Sequence, residues 1–293
     1  MHKLLRKGDK LWPSLWDEIN DPPTDVNVAG KIELLNERSI AIVGTRRASN
    51  LGKAIARRIA MDLSNAGYVI VSGLAMGIDT AAHRGALDGS GKTVAVMATS
   101  IEETYPPRNC ALRQEIESRG CVVSETQNTP VPFKYLFPRR NRLVAGLVSG
   151  VIVIESPGKS GSLITAKLAI DYNREVFAVP GPIDNANWRG SHQLIKDGAH
   201  LIECAEDVLE LLGSRSGISG GPVLKLPQEG TSSKWLWDRI DLSGAPLADL
   251  QMQWPGDPAD LAEGLLALEM ANMAIRLPGA KVARTVWTSS DRK

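Results

Sequence analysis

Six short, almost continuously apolar runs are the feature that most restricts the fold of this chain. They lie at residues 39–43, 68–71, 93–97, 121–123, 151–154 and 175–179. Stretches with helical periodicity separate them, at 51–66, 78–87, 141–148 and 163–172. Strands that are apolar on both sides are typical of parallel sheets covered by helices. The alternation predicts a doubly wound, mostly parallel α/β sheet whose ligands bind at the carboxyl ends of its strands.

The pattern changes along the chain and divides it into four segments. Residues 1–38 have too little patterned sequence for an independent domain, so we expect a lead-in to an α/β domain at 39–213. Residues 214–232 are rich in Gly, Ser and Pro, which is typical of a linker. Three short helical stretches and a hairpin with Pro278 and Gly279 at its turn predict a small winged helix at 233–290.

The composition excludes several classes of protein. Hydrophobic residues make up 43% of the 293 residues, enough to form a core, but no apolar run approaches the ~20 residues that cross a bilayer. Three cysteines without CxxC spacing disfavour a disulfide scaffold or a zinc site. We expect a soluble, cytoplasmic protein with no membrane contact, no metal and no cofactor.

The charge is balanced overall but clustered locally. The chain has 34 Lys and Arg against 33 Asp and Glu. Residues 39–61 contain five basic residues and no acid, and residues 126–154 contain four and no acid. Two acid-free basic patches in a neutral protein favour a local anionic ligand.

The loop after the first predicted strand, GTRRASNLG, is a candidate anion site. Gly44 permits a tight turn, the amides from Thr45 to Ser49 begin the next helix, and Arg46 adds a guanidinium. The loop lacks the GxGxxG pattern of dinucleotide-binding proteins, which disfavours NAD. An ordinary turn with solvated arginines remains an open alternative.

The second predicted strand leads into the loop SGLAMGID at the same sheet edge. Ser72 and Gly73 stand where a dinucleotide-binding protein carries the acid that holds the ribose, and we expect them to border the ligand. We expect Asp79 to cap the following helix. His83 is expected to be an ordinary packed or surface histidine.

The stretch PVPFKYLFPRRNRLVAG, residues 130–146, combines an aromatic ring with cations. It contributes Lys134, Phe137, Arg139, Arg140 and Arg142, which we expect just before a helix. Bases stack on rings and phosphates pair with cations, so this mixture suits a single strand of nucleic acid. A core position for Phe137 remains the alternative.

A Gly/Ser-rich turn, ESPGKSGSLITA, follows the strand at 151–154. The amides of Gly161 and Ser162 at a helix start, with Lys159 beside them, again suit an anion. The turn is not GxSxG, so a serine hydrolase is disfavoured. The run GSGKT at 89–93 lacks the first glycine of a P-loop and precedes a strand, so ATP hydrolysis is rejected.

Taken together, these loops resemble the DprA/Smf family of bacterial DNA-processing proteins. The matching runs stand in family order: AIVGTRRAS, SGLAMGIDTAAHRGAL, YPPRN, FPRRNRLVAGL, KSGSLITAKLA and VFAVPG. The C-terminal segment resembles the family's optional winged helix. The SAM-like helical domain that many members carry is not expected here. His192 stands where the family usually has Asn.

The resemblance implies an extended Rossmann-like fold and a protein that is not an enzyme. Such a protein binds single-stranded DNA, protects it and loads the RecA recombinase onto it during natural transformation. The family's basic pocket maps onto Arg46, Lys134 and Phe137, with the arginines that follow beside it. A homodimer and the RecA contact are expected through the later part of the domain, loosely at residues 190–203.

Two further expectations concern other classes of function. A nucleotide-binding or N-glycosidic-bond-cleaving enzyme is the alternative, because SPGKSGS distantly echoes a phosphate loop; however, the next helix lacks the glutamate that this chemistry needs. In the winged helix, the third helix carries Asp260, Glu263 and Glu269 and no basic residue. We therefore expect the module to contact protein and not to bind DNA alone.

Overall fold

The computed structural model describes residues 2–126, 135–213, 227–228, 230–241, 244–270 and 273–284. The chain forms two compact units, Met1–Gly221 and Pro222–Lys293, and each is described by itself. The predicted linker at 214–232 falls largely outside the described residues, as does Lys134.

The larger unit is built on a mixed sheet of nine strands within its described residues. The strands are β1 (Lys3–Arg6), β2 (Asp25–Gly30), β3 (Ser39–Gly44), β4 (Val69–Ser72), β5 (Thr93–Met97), β6 (Cys121–Ser124), β7 (Gly150–Ile154), β8 (Glu175–Ala178) and β9 (His200–Leu201). Their order is β1-β2-β6-β5-β4-β3-β7-β8-β9. Strands β3 to β9 pair in parallel, which confirms the doubly wound, mostly parallel prediction.

Helices connect these strands and cover both faces of the sheet. They are α1 (Asn50–Asn65), α2 (Ile78–Asp88), α3 (Cys110–Arg119), α4 (Leu136–Gly146), α5 (Gly161–Asp171), α6 (Arg189–Lys196) and α7 (Ala205–Leu211). Residues of β3 alternate between two core clusters: Ala41 and Val43 pack on one face, and Ile40 and Ile42 on the other. Alternating side chains of a strand point to opposite faces, so a central strand covered on both faces is mostly apolar along its whole length.

The first 38 residues extend this sheet. Strand β1 pairs antiparallel with β2, and β2 pairs antiparallel with β6. Between the two strands, Trp16 is fully buried and its indole Nε1 donates to the carbonyl of Leu143 at 3.1 Å. The sequence predicts only a lead-in here, because a four-residue strand with one buried side chain gives little periodicity.

The segment Pro222–Lys293 contains three helices and a small sheet within its described residues. They are α8 (Ser232–Trp237), β10 (Ala245–Pro246), α9 (Leu247–Gln253), α10 (Pro258–Met270), β11 (Ala274–Leu277) and β12 (Lys281–Arg284). The sheet order is β10-β12-β11. Leu236, Trp237, Leu261 and Leu265 are central to its core. The three predicted helices and the hairpin are present, while the assignment as a winged helix stays a prediction.

Two findings bear on the surroundings of the chain. Among the helices that the structure describes, none has both the length and the apolar character needed to cross a bilayer. Within the described residues, Cys110, Cys121 and Cys204 form no disulfide bond.

Candidate nucleic-acid interface

A pocket of about 280 Å³ opens at the carboxyl ends of β3, β4 and β5. Loops after these strands and the first turns of α4 form its walls, which is where ligands bind in open α/β sheets. The lining residues are Arg46, Arg47, Gly73, Ala75, Met76, Ala98, Thr99, Tyr105, Pro106, Phe137 and Arg140. Three arginines and two aromatic rings thus surround an otherwise small and apolar cavity.

The loop after β3 and helix α4 meet at one side of this pocket. The guanidinium carbon of Arg46 lies 4.4 Å from the centre of the Phe137 ring, a cation–π contact. The Tyr105 ring lies 6.0 Å from the Phe137 ring. Phe137 is half-buried and Arg46 is exposed, so the open alternative of a core phenylalanine does not hold.

Helix α4 begins five residues earlier than predicted, and this decides which of its arginines face the pocket. Pro138 falls in the first turn, where proline is tolerated. Residues three apart lie on the same side of a helix. Phe137 and Arg140 therefore line the pocket, whereas Arg139 and Arg142 point to a different partner, Glu125.

Arg140 forms the floor of the pocket. Its side chain is buried, Nη1 donates to the carbonyl of Val96 at 2.6 Å, and Nε donates to Asn141 Oδ1 at 3.2 Å. A Cβ at Gly73 would overlap the guanidinium, so only glycine lets Arg140 lie against this loop. Burial lowers the pKa of Arg140, and the carboxylate of Asp79 opposes that change.

Asp79 shapes the loop after β4 instead of capping α2, which corrects the expectation from sequence. Its Oδ2 accepts from the backbone N–H groups of Gly73 at 3.1 Å and Ala75 at 3.3 Å. The residue that precedes the helix is Gly77, with φ +82°. Burial raises the pKa of Asp79, and Arg140 and these two N–H groups oppose it. Asn109 holds the same loop by donating to the carbonyl of Leu74 at 2.8 Å.

His83 is a buried, neutral histidine, as expected of a packed position. Thr93 Oγ1 donates its proton to the carbonyl of Ile70 at 2.7 Å, so it accepts from His83 Nδ1, also at 2.7 Å. His83 Nε2 then has no partner among the described residues. Burial, reinforced by the charge of Arg140, lowers the pKa of His83 to about 3.

Arg142 is a structural residue, which corrects its assignment to DNA. Its side chain is only 6% exposed. It donates to the carbonyl of Asp21 at 2.6 Å and is ion-paired with the carboxylates of Asp21, at 3.2 Å, and of Glu125. Arg139 is 58% exposed and pairs with Glu125 at 3.2 Å, so a phosphate would compete with that carboxylate for it.

Three of the five amides from Thr45 to Ser49 are already bonded within the protein, which also differs from the prediction. The Thr45 amide donates to the carbonyl of Glu155 at 3.1 Å, and the Arg47 amide donates to Thr45 Oγ1 at 3.2 Å. The Ser49 amide donates to the carboxylate of Glu155. Gly44 is required by packing, because a Cβ there would overlap the carbonyl of Ile154.

Four other predicted residues lie outside the pocket lining. Ser72 is fully buried and its hydroxyl donates to the carbonyl of Ile42 at 2.7 Å, so it is part of the sheet. Ser162 is buried in a chain of hydroxyls with Ser156, at 2.9 Å, and Ser160, at 2.8 Å. Gly161 and Lys159 are exposed at the start of α5.

Comparison with known proteins identifies the family. The family model described as DNA recombination-mediator protein A matches residues 3–213. This chain belongs to that family. The motif resemblance to the DprA/Smf family is thereby confirmed.

Individual relatives also belong to the DprA/Smf family. The DNA processing protein DprA of Streptococcus pneumoniae is 44% identical over 203 residues, which cover 69% of this chain and 71% of that protein. Protein Smf of Escherichia coli is 39% identical over 295 residues, covering 96% and 77%.

Two solved structures of the family are similar to this one. That of DprA from S. pneumoniae has a TM-score of 0.69 at 41% identity and covers 71% of this chain and 73% of its own. The structure of DNA processing protein A from Helicobacter pylori, which concerns its single-stranded DNA binding mode, has a TM-score of 0.67 at 32% identity and covers 73% and 96%.

Several pocket residues are not among the site residues predicted from the sequence. Arg47, Met76, Thr99 and Tyr105 line the pocket, yet each lies in a loop where no periodicity marks it. The run YPPRN, which the resemblance singled out, was the one signal for Tyr105. His192, the departure from the family pattern, contacts the backbone of Gly181 through Nε2, at 3.0 Å from the oxygen.

Proposed function

We propose that this protein is a single-stranded-DNA-binding recombination mediator that loads RecA. The observation that supports this most is the pocket itself, where the Arg46 guanidinium lies on the Phe137 ring beside Arg47 and Tyr105. Cations for phosphates and rings for bases are what a single strand requires. Membership of a recombination-mediator family and the similarity to a DNA-binding H. pylori protein support the same proposal.

In this proposal, residues at the opening of the pocket and residues at its floor contact different parts of the DNA. The exposed Arg46 and Arg47 neutralise phosphates, while a base stacks on Phe137. The buried guanidinium of Arg140 lies at the floor, where a base edge offers carbonyl and ring-nitrogen acceptors. Lys134 precedes α4 in the chain, and its contact with DNA stays a prediction.

The proposed protein acts by binding and not by catalysis. Among the lining residues that the structure describes, none is a carboxylate or a histidine. General acid–base chemistry on a nucleotide needs such a group within hydrogen-bond reach. Asp79 is engaged by two backbone amides and Glu155 by the start of α1.

The proposal includes a homodimer through the later part of the larger unit. Strand β9 is the edge of the sheet, and its Leu201 is 51% exposed. Ile170 is 58% exposed and lines a surface hollow together with Val176 and Leu194. Leu201 directly follows His200, another residue that lines this hollow. Exposed apolar side chains on an unpaired edge favour pairing with another chain. In such a dimer, the pockets of the two protomers could bind the same DNA strand, which would raise the avidity for DNA.

The smaller unit is proposed to contact protein. Its helix α10 carries Asp260, Glu263 and Glu269, and Leu266 and Met270 are 53% and 78% exposed. Phosphates would be repelled by this helix. The absence of disulfide bonds among the described cysteines is consistent with the reducing cytoplasm that the proposal assumes.

The deciding experiment is fluorescence anisotropy with labelled oligo-dT and a matched duplex across a salt series. We expect a preference for the single strand and an affinity that falls steeply with salt. Equal binding of both forms, or no binding at low salt, contradicts the proposal. Release of free base from nucleoside monophosphates would favour the enzyme alternative instead.

A further inference from the structure

The carboxylate of Glu155 occupies the start of helix α1. Glu155 is fully buried directly after β7. The Ser49 amide donates to Oε1 and Oε2 at 3.0 and 2.8 Å, and the Ser49 hydroxyl donates to Oε2 at 2.9 Å. The free N–H groups and dipole at a helix start attract anions. At the start of α1, the anion is the carboxylate of the protein's own Glu155.

The surroundings of this carboxylate are built to hold it. A Cβ at Gly52, in the first turn of α1, would overlap Oε2. On the other side, Asn187 Nδ2 donates to Oε1 at 3.2 Å. Glu155 itself has φ +48°, a left-handed conformation that is costly for a residue with a side chain. A strained backbone, a glycine and an amide donor therefore all serve the same carboxylate.

The carboxylate stands at the topological switch point of the sheet. From β3 the chain proceeds to β4, β5 and β6 on one side, then returns to place β7 on the other. Open α/β sheets bind nucleotides in the crevice at this point, with the phosphate at the helix that follows the first strand. That helix is α1, whose N-cap residue Ser49 is already bonded to the carboxylate of Glu155.

We infer that Glu155 is a specificity residue that closes the switch point to free phosphates and nucleotides. A phosphate at this helix start would need the space of the carboxylate and would bring a second negative charge into a buried site. Ligand binding is thereby displaced to the pocket at the carboxyl ends of β3, β4 and β5. The inference concerns free phosphate and can be tested without DNA.

Three substitutions in the full chain separate charge from volume. Glu155→Ala removes both, Glu155→Gln removes the charge and keeps the shape, and Glu155→Asp keeps the charge. Thermal unfolding is measured in inorganic phosphate and in sodium chloride of equal ionic strength. We expect phosphate to raise the Tm of Glu155→Ala by about 3–5 °C at about ten times its dissociation constant. Glu155→Gln should respond less, since a neutral side chain must move aside.

Wild type and Glu155→Asp should show no rise beyond chloride, because their carboxylate repels the ligand. The inference is overturned if neither the Ala nor the Gln variant responds more than these two. Should Glu155→Ala fail to fold, the inference is tested by comparing the phosphate-induced rise of Tm in Glu155→Gln with that in Glu155→Asp. Isothermal titration of phosphate into the folded variants checks that the rise reflects saturable binding.

Discussion

The contact between Arg46 and Phe137 allows a double-mutant cycle on the proposed DNA site. In the free protein the guanidinium lies 4.4 Å from the ring centre, a contact worth about 0.5–1 kcal/mol at an exposed site. A base that stacks on the same ring face must first displace it. Phe137→Ala should then weaken oligo-dT binding by about 1–3 kcal/mol, and Arg46→Ala should lower the salt slope by about 0.7.

The sign of the coupling energy between Arg46 and Phe137 follows from the competition between the base and the guanidinium for the ring face. Without Arg46 the base gains the whole stacking energy, since no cation–π contact has to be broken. The double variant should therefore lose about 0.5–1 kcal/mol more than the two single losses added together. If the ring instead serves to position Arg46 for a phosphate, the losses overlap and the double variant loses less than their sum.

The assay is anisotropy with labelled oligo-dT over a salt series, after circular dichroism has shown that each variant is folded. Lys31→Ala is the matched control. Lys31 is exposed, and its amide donates to the carbonyl of Gly120 at the amino-terminal end of β6, whereas the pocket lies at the carboxyl ends of the strands. It should leave the affinity unchanged. Additive losses would refute the competition between the base and Arg46 for this ring face, and a folded Phe137→Ala with wild-type affinity would refute base stacking on the ring.

Three further predictions concern Gly73, Arg142 and His83. Gly73→Ala should displace the Arg140 guanidinium and destabilise the fold by roughly 1–3 kcal/mol, with weaker oligo-dT binding; urea unfolding and anisotropy measure both. Arg142→Ala should destabilise the fold by roughly 3 kcal/mol, since among the described residues it leaves Arg139 as the remaining basic partner of the largely buried Glu125, yet the folded variant should bind DNA as wild type does. Because the pKa of His83 is about 3 when folded and about 6.5 when unfolded, the unfolded chain takes up the proton first. The free energy of unfolding should then fall by about 1.4 kcal/mol per pH unit from pH 6.5 towards 3, and His83→Gln should remove that slope; an unchanged slope in chemical denaturation would contradict the burial of a neutral histidine.

Much of the larger unit could be predicted because its strands are buried on both faces. Runs such as 93–97 are then almost continuously apolar, and the structure has β5 at Thr93–Met97 as expected. Strands β1 and β2 were missed, since β1 buries only one of its four side chains. The start of α4 was placed too late, because Pro138 suggests a helix boundary although it is tolerated in a first turn.

The sheet class, the family motifs and the edge of the sheet at which the candidate pocket lies could all be predicted from the sequence. Hydrophobic periodicity and the order of loops are local properties, and both are present in the chain before it folds. The tertiary structure decided which charges remain available to a ligand. Arg142 is neutralised by Asp21 and Glu125, 121 and 17 residues away, and Ser49 is bonded to Glu155 across 106 residues. Partners so distant in sequence meet only through the packing of the sheet, so no local pattern distinguishes the arginines that face the pocket from those already paired.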